Sequence, residues 1–313
     1  MIVTVTLNLA LDVTYSVERL VKGGVNTVRA VHGQAGGKGV NVARTLQQMG
    51  IAATATGFCG GSTGREIELE LTEAGIPHRL VHVPGENRRC TAVVESEDGV
   101  TEINEPGPEI GRESWEEFIA VFERLIEELE PEAVACSGSL PPGLQEDAYA
   151  TLCAVARAGG AYCLVDAGGT ALRRSLAAHP DLAKPNRSEL VSATGATPSP
   201  GPDASDWAGL ADVLREEGAG SVVVSLGEEG LLAVTEEGNW HARPPLVQGN
   251  PVGAGDAAAA ALLRGHLQGA PWPKKLLDSA ALSAAAVAAP VAGRFDPDVY
   301  EEARGTTVVR KLE

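Results

Sequence analysis

The stretch Asn250-Pro251-Val252-Gly253-Ala254-Gly255-Asp256, which runs into a helix predicted at Gly255–Leu267, carries the most information about the fold. Two glycines permit a tight turn that a ligand can approach closely. The helix that follows offers unpaired N–H groups and the positive end of its dipole, so an anion fits beside it. Asp256 is unexpected there, because an anion site should repel a carboxylate. It is either a helix cap, which contributes about 0.5–2 kcal/mol, or a general base beside a phosphate being transferred.

A second glycine-rich turn lies near the other end of the chain. The residues Gly36-Gly37-Lys38-Gly39-Val40-Asn41 lead into another predicted helix. This is not a Walker A loop, because His32 stands where its first glycine would be and Gly39 replaces the Ser or Thr. Lys38 and Asn41 could instead face a polar ligand over bare backbone.

Strand-like and helix-like patterns alternate along most of the chain. Short β-branched runs predict strands, and longer runs with helical periodicity predict helices. The predicted strands are Ile2–Leu7, Ala52–Phe58, Ala133–Cys136, Tyr162–Val165 and Ser221–Ser225. The predicted helices are Val40–Met49, Gly64–Glu73, Trp115–Leu129, Gln145–Ala158, Trp207–Glu217, Gly255–Leu267 and Lys274–Ala289. This alternation predicts an α/β fold with a mostly parallel sheet covered by helices on both faces.

Two segments break the alternation. Val13–His32 alternates polar and apolar residues over short runs, and Arg89–Asn104 is predicted as a hairpin with its turn at Asp98-Gly99. Together they could form a small second sheet beside the main one. The alternative is that both are solvent-facing excursions of the main sheet.

The composition and net charge of the chain disfavour some classes of function. The 313 residues are 44% hydrophobic and 21% charged, which is enough apolar mass for a large core. The formal net charge of −17 disfavours binding to nucleic acid or to an anionic membrane. The N-terminus shows no signal-peptide pattern, so we expect a cytoplasmic protein.

Cysteine and histidine spacing gives no indication of a metal site. The five cysteines include no CxxC pair and are expected to be free thiols in a reducing compartment. His78 and His82 are four residues apart, but they lie on a predicted strand between two prolines. Their spacing is therefore not that of a metal-binding pair on a helix.

The two glycine-rich turns, at the start and the end of one α/β chain, resemble those of the PfkB family of carbohydrate kinases. The resemblance extends from Thr6 to about Val291 and includes further motifs. These are Thr6-Leu7-Asn8 with Asp12, Gly57-Phe58-Cys59-Gly60-Gly61 with Gly64, Ser137-Gly138-Ser139-Leu140-Pro141-Pro142-Gly143, Lys184-Pro185-Asn186 with Glu189, and Ser225-Leu226-Gly227 with Gly230. It implies a ribokinase-like fold, ATP-dependent phosphoryl transfer and a β-lid over the sugar.

Within the family, the chain is most similar to the branch of 1-phosphofructokinase and tagatose-6-phosphate kinase. The segments Gly85–Arg88, Thr101–Pro108 and Ser137–Gly143 carry this similarity. Some positions depart from the family pattern. Leu9 stands where the opening motif usually has proline, and Asn250-Pro251 stands where a Ser or Asp followed by Thr is expected. Since Pro251 removes an N–H and a hydroxyl near the nucleotide, the resemblance gives no prediction about dependence on a monovalent cation.

The resemblance also implies roles for single residues. Asp256 would take the proton of the sugar hydroxyl, and the N–H groups of Gly253–Gly255 would hold the transferring phosphoryl group. Lys38 and Arg88 would neutralise a phosphate already on the substrate. Arg89 leaves the register of the second cation open by one position. The other implied substrate-binding residues are Asp12, Gly37, Asn41, Asn104 and Ser139.

ATP and Mg²⁺ are the cofactors that the resemblance implies. The nucleotide site would be lined by Lys184, Asn186, Ser225, Gly227, Gly253 and Gly255. Asn186 and Glu189 would support Mg²⁺ largely through water, the alternative being a helix cap with an acidic first turn. The lid would comprise about residues 13–35 and 88–104 of a single domain of residues 1–313. In relatives the lid also pairs two subunits, so a homodimer is expected.

The acceptor that the resemblance favours is fructose 1-phosphate, giving fructose 1,6-bisphosphate. Tagatose 6-phosphate and fructose 6-phosphate are alternatives, because a few lid and loop side chains would decide between them. An unphosphorylated sugar or a nucleoside is a further alternative, for which Lys38 and Arg88 would be dispensable. A catalytically dead sugar-phosphate binding protein is the last, with the unusual Pro251 as its only support.

Overall fold

The structure, a computed structural model, describes residues 1–95, 99–196 and 203–312. In chain order its strands are β1 (Ile2–Thr6), β2 (Ala10–Val17), β3 (Ala30–Gly36), β4 (Ala53–Cys59), β5 (His78–His82), β6 (Arg88–Glu95), β7 (Gly99–Asn104), β8 (Ala133–Ser137), β9 (Tyr162–Asp166), β10 (Leu182–Ala183), β11 (Ser221–Ser225), β12 (Leu231–Thr235), β13 (Gly238–Arg243) and β14 (Val308–Leu312). Its helices are α1 (Lys38–Gln48), α2 (Gly61–Glu73), α3 (Arg112–Leu129), α4 (Ala148–Ala158), α5 (Gly169–Ser175), α6 (Arg187–Thr194), α7 (Ala204–Glu216), α8 (Ala254–Leu267), α9 (Trp272–Val287) and α10 (Pro297–Thr306). Each predicted strand and helix is present, with its ends shifted by at most three residues.

The large sheet has the strand order β14-β13-β12-β11-β10-β9-β8-β1-β4-β5 within the described chain. Its strands from β11 to β5 run parallel. Successive side chains of a strand point to opposite faces. Accordingly, Val3 and Val5 of β1 belong to a core cluster that includes side chains of α3, α4 and α7, whereas Ile2 belongs to another that includes side chains of α1, α2, α8 and α9. Helices therefore cover both faces, and the predicted ribokinase-like fold is confirmed.

An antiparallel edge completes the large sheet. Strands β12, β13 and β14 pair antiparallel with one another, and β12 pairs antiparallel with β11. These three strands were not predicted from the sequence. Two of them form a hairpin, which needs only a short connection, and β14 returns from the last helix to pair beside it.

The two segments that break the alternation form a separate small sheet, with the order β3-β2-β6-β7. The interpretation of these segments as excursions of the main sheet is therefore wrong. Strand β2 begins at Ala10, just after the Thr6-Leu7-Asn8 motif, and it pairs there with Gly36, which ends β3 and opens the N-terminal glycine-rich turn. Asp98 of the predicted hairpin turn lies outside the described residues.

The carboxyl ends of the parallel strands place polar groups at one edge of the large sheet. Ser137, Asp166 and Ser225 are the last residues of β8, β9 and β11. This is the edge at which open α/β sheets bind ligands. Across residues 1–95, 99–196 and 203–312, no helix is long and apolar enough to cross a bilayer.

Candidate active site

A cavity of about 400 Å³ lies between the small sheet and the carboxyl edge of the large one. We call it the central cavity. It brings together most of the residues that the sequence analysis singled out, although they come from all parts of the chain. Those lining it are Asp12, Gly37, Lys38, Asn41, Arg88, Asn104, Lys184, Asn186, Glu189, Ser225, Gly253, Gly255 and Asp256.

The start of α8 forms one wall of the central cavity. Gly253 is the N-cap residue and adopts a left-handed φ of 86°, which glycine tolerates best. A Cβ at this position would lie 2.9 Å from the Cα of Ala292. Asp256 is the third helical residue, and no side chain caps this helix. Its carboxylate Oδ2 instead accepts a hydrogen bond of 2.9 Å from Asn41 Nδ2, so it is aimed across the cavity.

The environment of Asp256 favours its neutral form. The residue is only 6% exposed. Burial, and then the negative charge of Asp166, raise the pKa of Asp256 to about 7, against the opposing effect of Lys38. A carboxyl group with a pKa near neutrality can accept a proton and release it again, as a general base must.

Asp12 lies on the opposite wall, on β2. Burial raises the pKa of Asp12 to about 6, while the backbone N–H of Gly37 and the charge of Arg88 act in the opposite direction. Arg88 opens β6, and its Nε donates to the carbonyl oxygen of Asn8 at 3.2 Å. Two carboxyl groups with raised pKa values thus face one polar cavity, an arrangement typical of functional sites.

A buried ion network forms the floor of the central cavity. Asp166, fully buried at the end of β9, pairs with Lys38 and with Lys184, both at 2.8 Å. The ammonium of Lys38 also contacts Glu189 at 2.9 Å. Although burial alone would raise it, the two lysines hold the pKa of Asp166 below its usual value. The charge of Lys38 is therefore already compensated by two carboxylates, whereas the family resemblance implied that Lys38 faces a substrate phosphate.

Strand register resolves the ambiguity between Arg88 and Arg89. Arg88 pairs with Ala10 and Cys90 pairs with Asp12, so Arg88 and Cys90 share the face of β6 that looks into the central cavity. Arg89 lies on the other face and is exposed. Arg88 is thus the cation that the small sheet presents to the cavity.

Asn186 and Glu189 form a complete capping box at the start of α6. The side chain of Asn186 accepts from the backbone N–H of Glu189 at 2.9 Å, and the Glu189 carboxylate accepts from that of Asn186 at 2.8 Å. The alternative of a helix cap with an acidic first turn therefore describes their local geometry. Both still line the central cavity. Their support of Mg²⁺ stays a prediction.

A second cavity, of about 800 Å³, adjoins the central one and is called the outer cavity here. It lies between the turn after β11, residues 244–251 and α9. Apolar side chains such as Leu226, Val247 and Val287 line part of it, and so do Gly227 and Ala254. The two cavities share four residues, at the starts of α6 and α8 and the end of β11. These are Asn186, Ser225, Pro251 and Gly255.

Ser139 lies in a third cavity on the other side of Arg88, not in the central one. This side cavity is bounded by residues 138–144 and shares Lys38, Arg88, Asn104 and Glu189 with the central cavity. The Ser139 hydroxyl accepts from Asn8 Nδ2 at 3.3 Å. Ser139 would therefore meet only a part of the substrate that extends beyond Arg88.

Several residues that line these cavities were not predicted from the sequence. Asp166 is the most important, and its signal was a carboxylate directly after a buried strand. Gln34 of β3 was also missed, and its side chain donates to the carbonyl oxygen of Ala292 at 2.8 Å, which joins the small sheet to the loop after α9. No sequence pattern predicted that Leu246 and Val247 would line the outer cavity.

Several solved structures similar to this chain are phosphofructokinases or candidates for that activity. A candidate phosphofructokinase from Staphylococcus aureus is 30% identical, with a TM-score of 0.79, and the match covers 100% of this chain and 99% of that one. A candidate 1-phosphofructokinase from Thermotoga maritima is 25% identical, with a TM-score of 0.88 and coverage of 100% and 99%. Phosphofructokinase-2 from Escherichia coli, in complex with fructose 6-phosphate, is 27% identical, with a TM-score of 0.84 and coverage of 97% and 98%.

A family model gives the same assignment. The model described as pfkB family carbohydrate kinase matches residues 3–298, which is almost the whole chain. The resemblance carried by the two glycine-rich turns is therefore confirmed. The chain belongs to the pfkB family of carbohydrate kinases and is an ATP-dependent sugar kinase.

Proposed function

We propose that this kinase phosphorylates a ketohexose phosphate, most favourably fructose 1-phosphate, with Asp256 as the general base. The sugar would occupy the central cavity and ATP the outer one. One observation carries the proposal. The two cavities meet at the start of α8, where Asp256 faces the central cavity and Gly255 borders both.

The reaction follows from this juxtaposition. The sugar hydroxyl oxygen attacks the γ-phosphorus of ATP, the bond from that phosphorus to the β,γ-bridging oxygen breaks, and ADP leaves. The hydroxyl proton passes to the carboxylate of Asp256. The backbone N–H groups of Gly253–Gly255 and the positive end of α8 would stabilise the charge on the transferring group. Pro251 does not disturb this loop, because Ala254 N donates to its carbonyl and Asn250 Oδ1 accepts from Val252 N.

The residues around the shared boundary also suit a Mg²⁺ ion. Magnesium takes oxygen ligands, keeps several waters and binds beside substrate phosphates. Both oxygens of the Glu189 carboxylate are already engaged, one by Asn186 N and one by Lys38. Asn186 and Glu189 would therefore hold the ion through water, with Asp166 behind them. When bound, the ion would neutralise charge on the nucleotide phosphates.

A phosphate on the acceptor would lie against Arg88. This side chain borders both the central and the side cavity, where Ser139 and Asn104 offer further polar groups. Lys38 is committed to two carboxylates, so Arg88 is the better cation for this purpose. The choice of fructose 1-phosphate depends on the resemblance to the 1-phosphofructokinase branch. Fructose 6-phosphate is the second candidate, because it is the ligand named for the similar E. coli enzyme.

An assay of ADP release with a panel of acceptors tests the proposal. Fructose 1-phosphate, fructose 6-phosphate, tagatose 6-phosphate and free fructose would be compared at equal ATP and Mg²⁺. A preference for one phosphosugar of about tenfold or more in kcat/KM would support the proposal, since tenfold corresponds to about 1.4 kcal/mol of transition-state discrimination. Preference for free fructose would overturn the phosphate site. Absence of ADP release with any acceptor would favour a dead binding protein.

Replacing Arg88 with methionine gives a sharper form of the same test. We expect kcat/KM for the phosphosugar to fall by about tenfold to a hundredfold, because a charge-assisted contact of about 1.5–3 kcal/mol is lost. Turnover of free fructose should hardly change. Arg89→Met is the matched control, since Arg89 is exposed on the other face of the same strand. Equal losses for phosphorylated and free sugar would mean that Arg88 acts through the fold of the small sheet.

The pH dependence of kcat/KM should show an acid limb near pH 7. The base must be ionised to accept a proton, and the pKa of Asp256 is raised to about 7. Activity should therefore rise with pH through about 7 and fall about tenfold for each unit below it. Below pH 6 the slope should steepen, because the pKa of Asp12 is about 6. An Asp12→Asn variant should keep the limb near 7. A flat profile from pH 5 to 8 would contradict the assignment of Asp256.

We further propose that the small sheet acts as a lid over the sugar and as the contact between two subunits. It covers the central cavity, and several apolar side chains on it are exposed. Val31 of β3 and Ile103 of β7 are 55% and 61% exposed, and Val25 in the loop between β2 and β3 is 96% exposed. A second copy of the sheet would remove this apolar surface from water.

A further inference from the structure

Three side chains that could bind a metal converge at the edge of the large sheet, away from the central cavity. Cys59 is the last residue of β4 and His82 the last residue of β5, and the two are register partners on these parallel strands. Glu68 reaches them from α2, which packs on this edge. The Sγ of Cys59, a carboxylate oxygen of Glu68 and a ring nitrogen of His82 all lie within 4.8 Å of one another.

The spacing of these atoms is close to that of a tetrahedral metal site. Zinc binds nitrogen and carboxylate oxygen at about 2.0–2.2 Å and thiolate sulfur at about 2.3 Å, so its ligand atoms lie roughly 3.3–3.8 Å apart. His82 Nε2 and Glu68 Oε2 are 3.2 Å apart, which already matches. The sulfur needs to move by no more than about 1.5 Å relative to its partners.

The cluster of three side chains is accessible to solvent on one side, and on the other side a glycine leaves space for the sulfur of Cys59. The side chains of His82 and Glu68 are 64% and 36% exposed, so an ion can enter from solvent. Cys59 forms the buried end. Gly64 lies against it, and a Cβ there would be only 3.0 Å from the sulfur, so the absence of a side chain gives the sulfur its space.

We propose that Cys59, Glu68 and His82 bind one Zn²⁺ ion, with water completing its coordination. One thiolate, one imidazole and one carboxylate form a donor set that suits zinc. Mg²⁺ takes oxygen ligands only, so this site is chemically distinct from the one proposed beside the nucleotide. Burial raises the pKa of the Cys59 thiol to about 11, so binding must release its proton.

A simpler account would be an ordinary ion pair. Glu68 and His82 would then be a solvent-exposed pair of little energetic importance, with Cys59 an inert neighbour. The two accounts differ on whether the sulfur of Cys59 binds a metal ion. A test must therefore report on the thiolate directly.

Cobalt provides such a test, because Co²⁺ occupies zinc sites and thiolate ligation gives it a charge-transfer absorption band. The full-length protein would be stripped with a chelator, kept reduced, and titrated with Co²⁺ and then Zn²⁺. We expect one equivalent of Co²⁺ to bind with the thiolate band, and Zn²⁺ to displace it. Cys59→Ser should abolish the band, and His82→Ala should weaken binding by about tenfold or more. His78→Ala, at the start of the same strand, is the matched control and should bind as the wild type does.

Two outcomes would overturn the proposal. One is that the wild-type protein binds neither Co²⁺ nor Zn²⁺ stoichiometrically. The other is that the thiolate band persists in the Cys59→Ser and His82→Ala variants. The metal would then lie elsewhere, for instance among Cys136, Cys153 and Cys163, whose sulfurs are also clustered but fully buried. His82 is exposed, so its replacement reports on binding even if Cys59→Ser folds poorly. The result does not depend on kinase activity.

Discussion

Replacing Asp256 with asparagine is expected to lower kcat by about two to four orders of magnitude while ATP and the sugar phosphate still bind. Asparagine keeps the size of the side chain and can still hydrogen-bond with Asn41, but it cannot accept the proton of the sugar hydroxyl. The anion-binding groups at the start of α8 belong to the backbone and are unchanged. Steady-state ADP release gives kcat, and titration calorimetry gives the dissociation constants of both substrates.

Asp206→Asn is a closely matched control for this variant. Asp206 is the third residue of α7, as Asp256 is of α8, but it is exposed and lines none of the three cavities. Both substitutions remove a carboxylate from the first turn of a helix, where it is worth about 0.3–1 kcal/mol. A kcat for Asp256→Asn within a few-fold of the Asp206→Asn value would mean that Asp256 only complements the helix dipole.

The Asp256→Asn variant should be more stable than the wild type in mildly alkaline solution. The pKa of Asp256 is raised in the folded state to about 7 from an ordinary value of 3.8. Folding therefore loses stability as the pH rises from about 4 to about 7, and the full loss persists above pH 7. Asparagine carries no charge and escapes this loss. Higher stability with lower turnover would mark Asp256 as a residue kept for function at the expense of folding.

The sequence patterns that predicted most of the fold and site were local ones. Strand and helix periodicity predicted the parallel part of the large sheet, because each element has its own apolar pattern. The turns at Gly36–Asn41 and Gly253–Asp256 predicted a ligand site, because glycines before a helix leave backbone N–H groups free. In the structure both turns border the central cavity. There Asn41 and Asp256, which are 215 residues apart, are joined by a hydrogen bond.

Interactions that depend on tertiary contacts escaped prediction. Asp166 follows a buried strand predicted to end at Val165, and nothing local marks it as the partner of Lys38, which is 128 residues away. For the same reason, the prediction that Lys38 binds a phosphate took no account of its carboxylate partners. The hydrogen-bonding register of β2 with β6 was needed to choose between Arg88 and Arg89. Cys59, Glu68 and His82 form no recognisable sequence motif, because three separate elements bring them together.

Replacing Asp166 with asparagine is expected to cost about 3–5 kcal/mol of unfolding free energy, because it leaves Lys184 buried without its counter-ion. The ammonium of Lys184 is 2.8 Å from Asp166, and its side chain is 3% exposed. A domain typically has a net stability of only about 5–15 kcal/mol, so the loss is large. Urea unfolding at pH 7 measures it. Glu217→Gln, which breaks the exposed pair with Arg173, is the control and should cost at most about 1 kcal/mol.

Two further measurements separate the ion network from general damage to the core. Adding Lys184→Met to Asp166→Asn should recover part of the stability, since the second change removes the stranded charge. The difference between wild type and Asp166→Asn should also depend on pH. The pKa of Asp166 is lowered in the folded state, so its contribution is present above about pH 4 and is lost as the pH falls below that value. A loss that neither the second substitution nor low pH reduces would mean that Asp166 acts through packing alone.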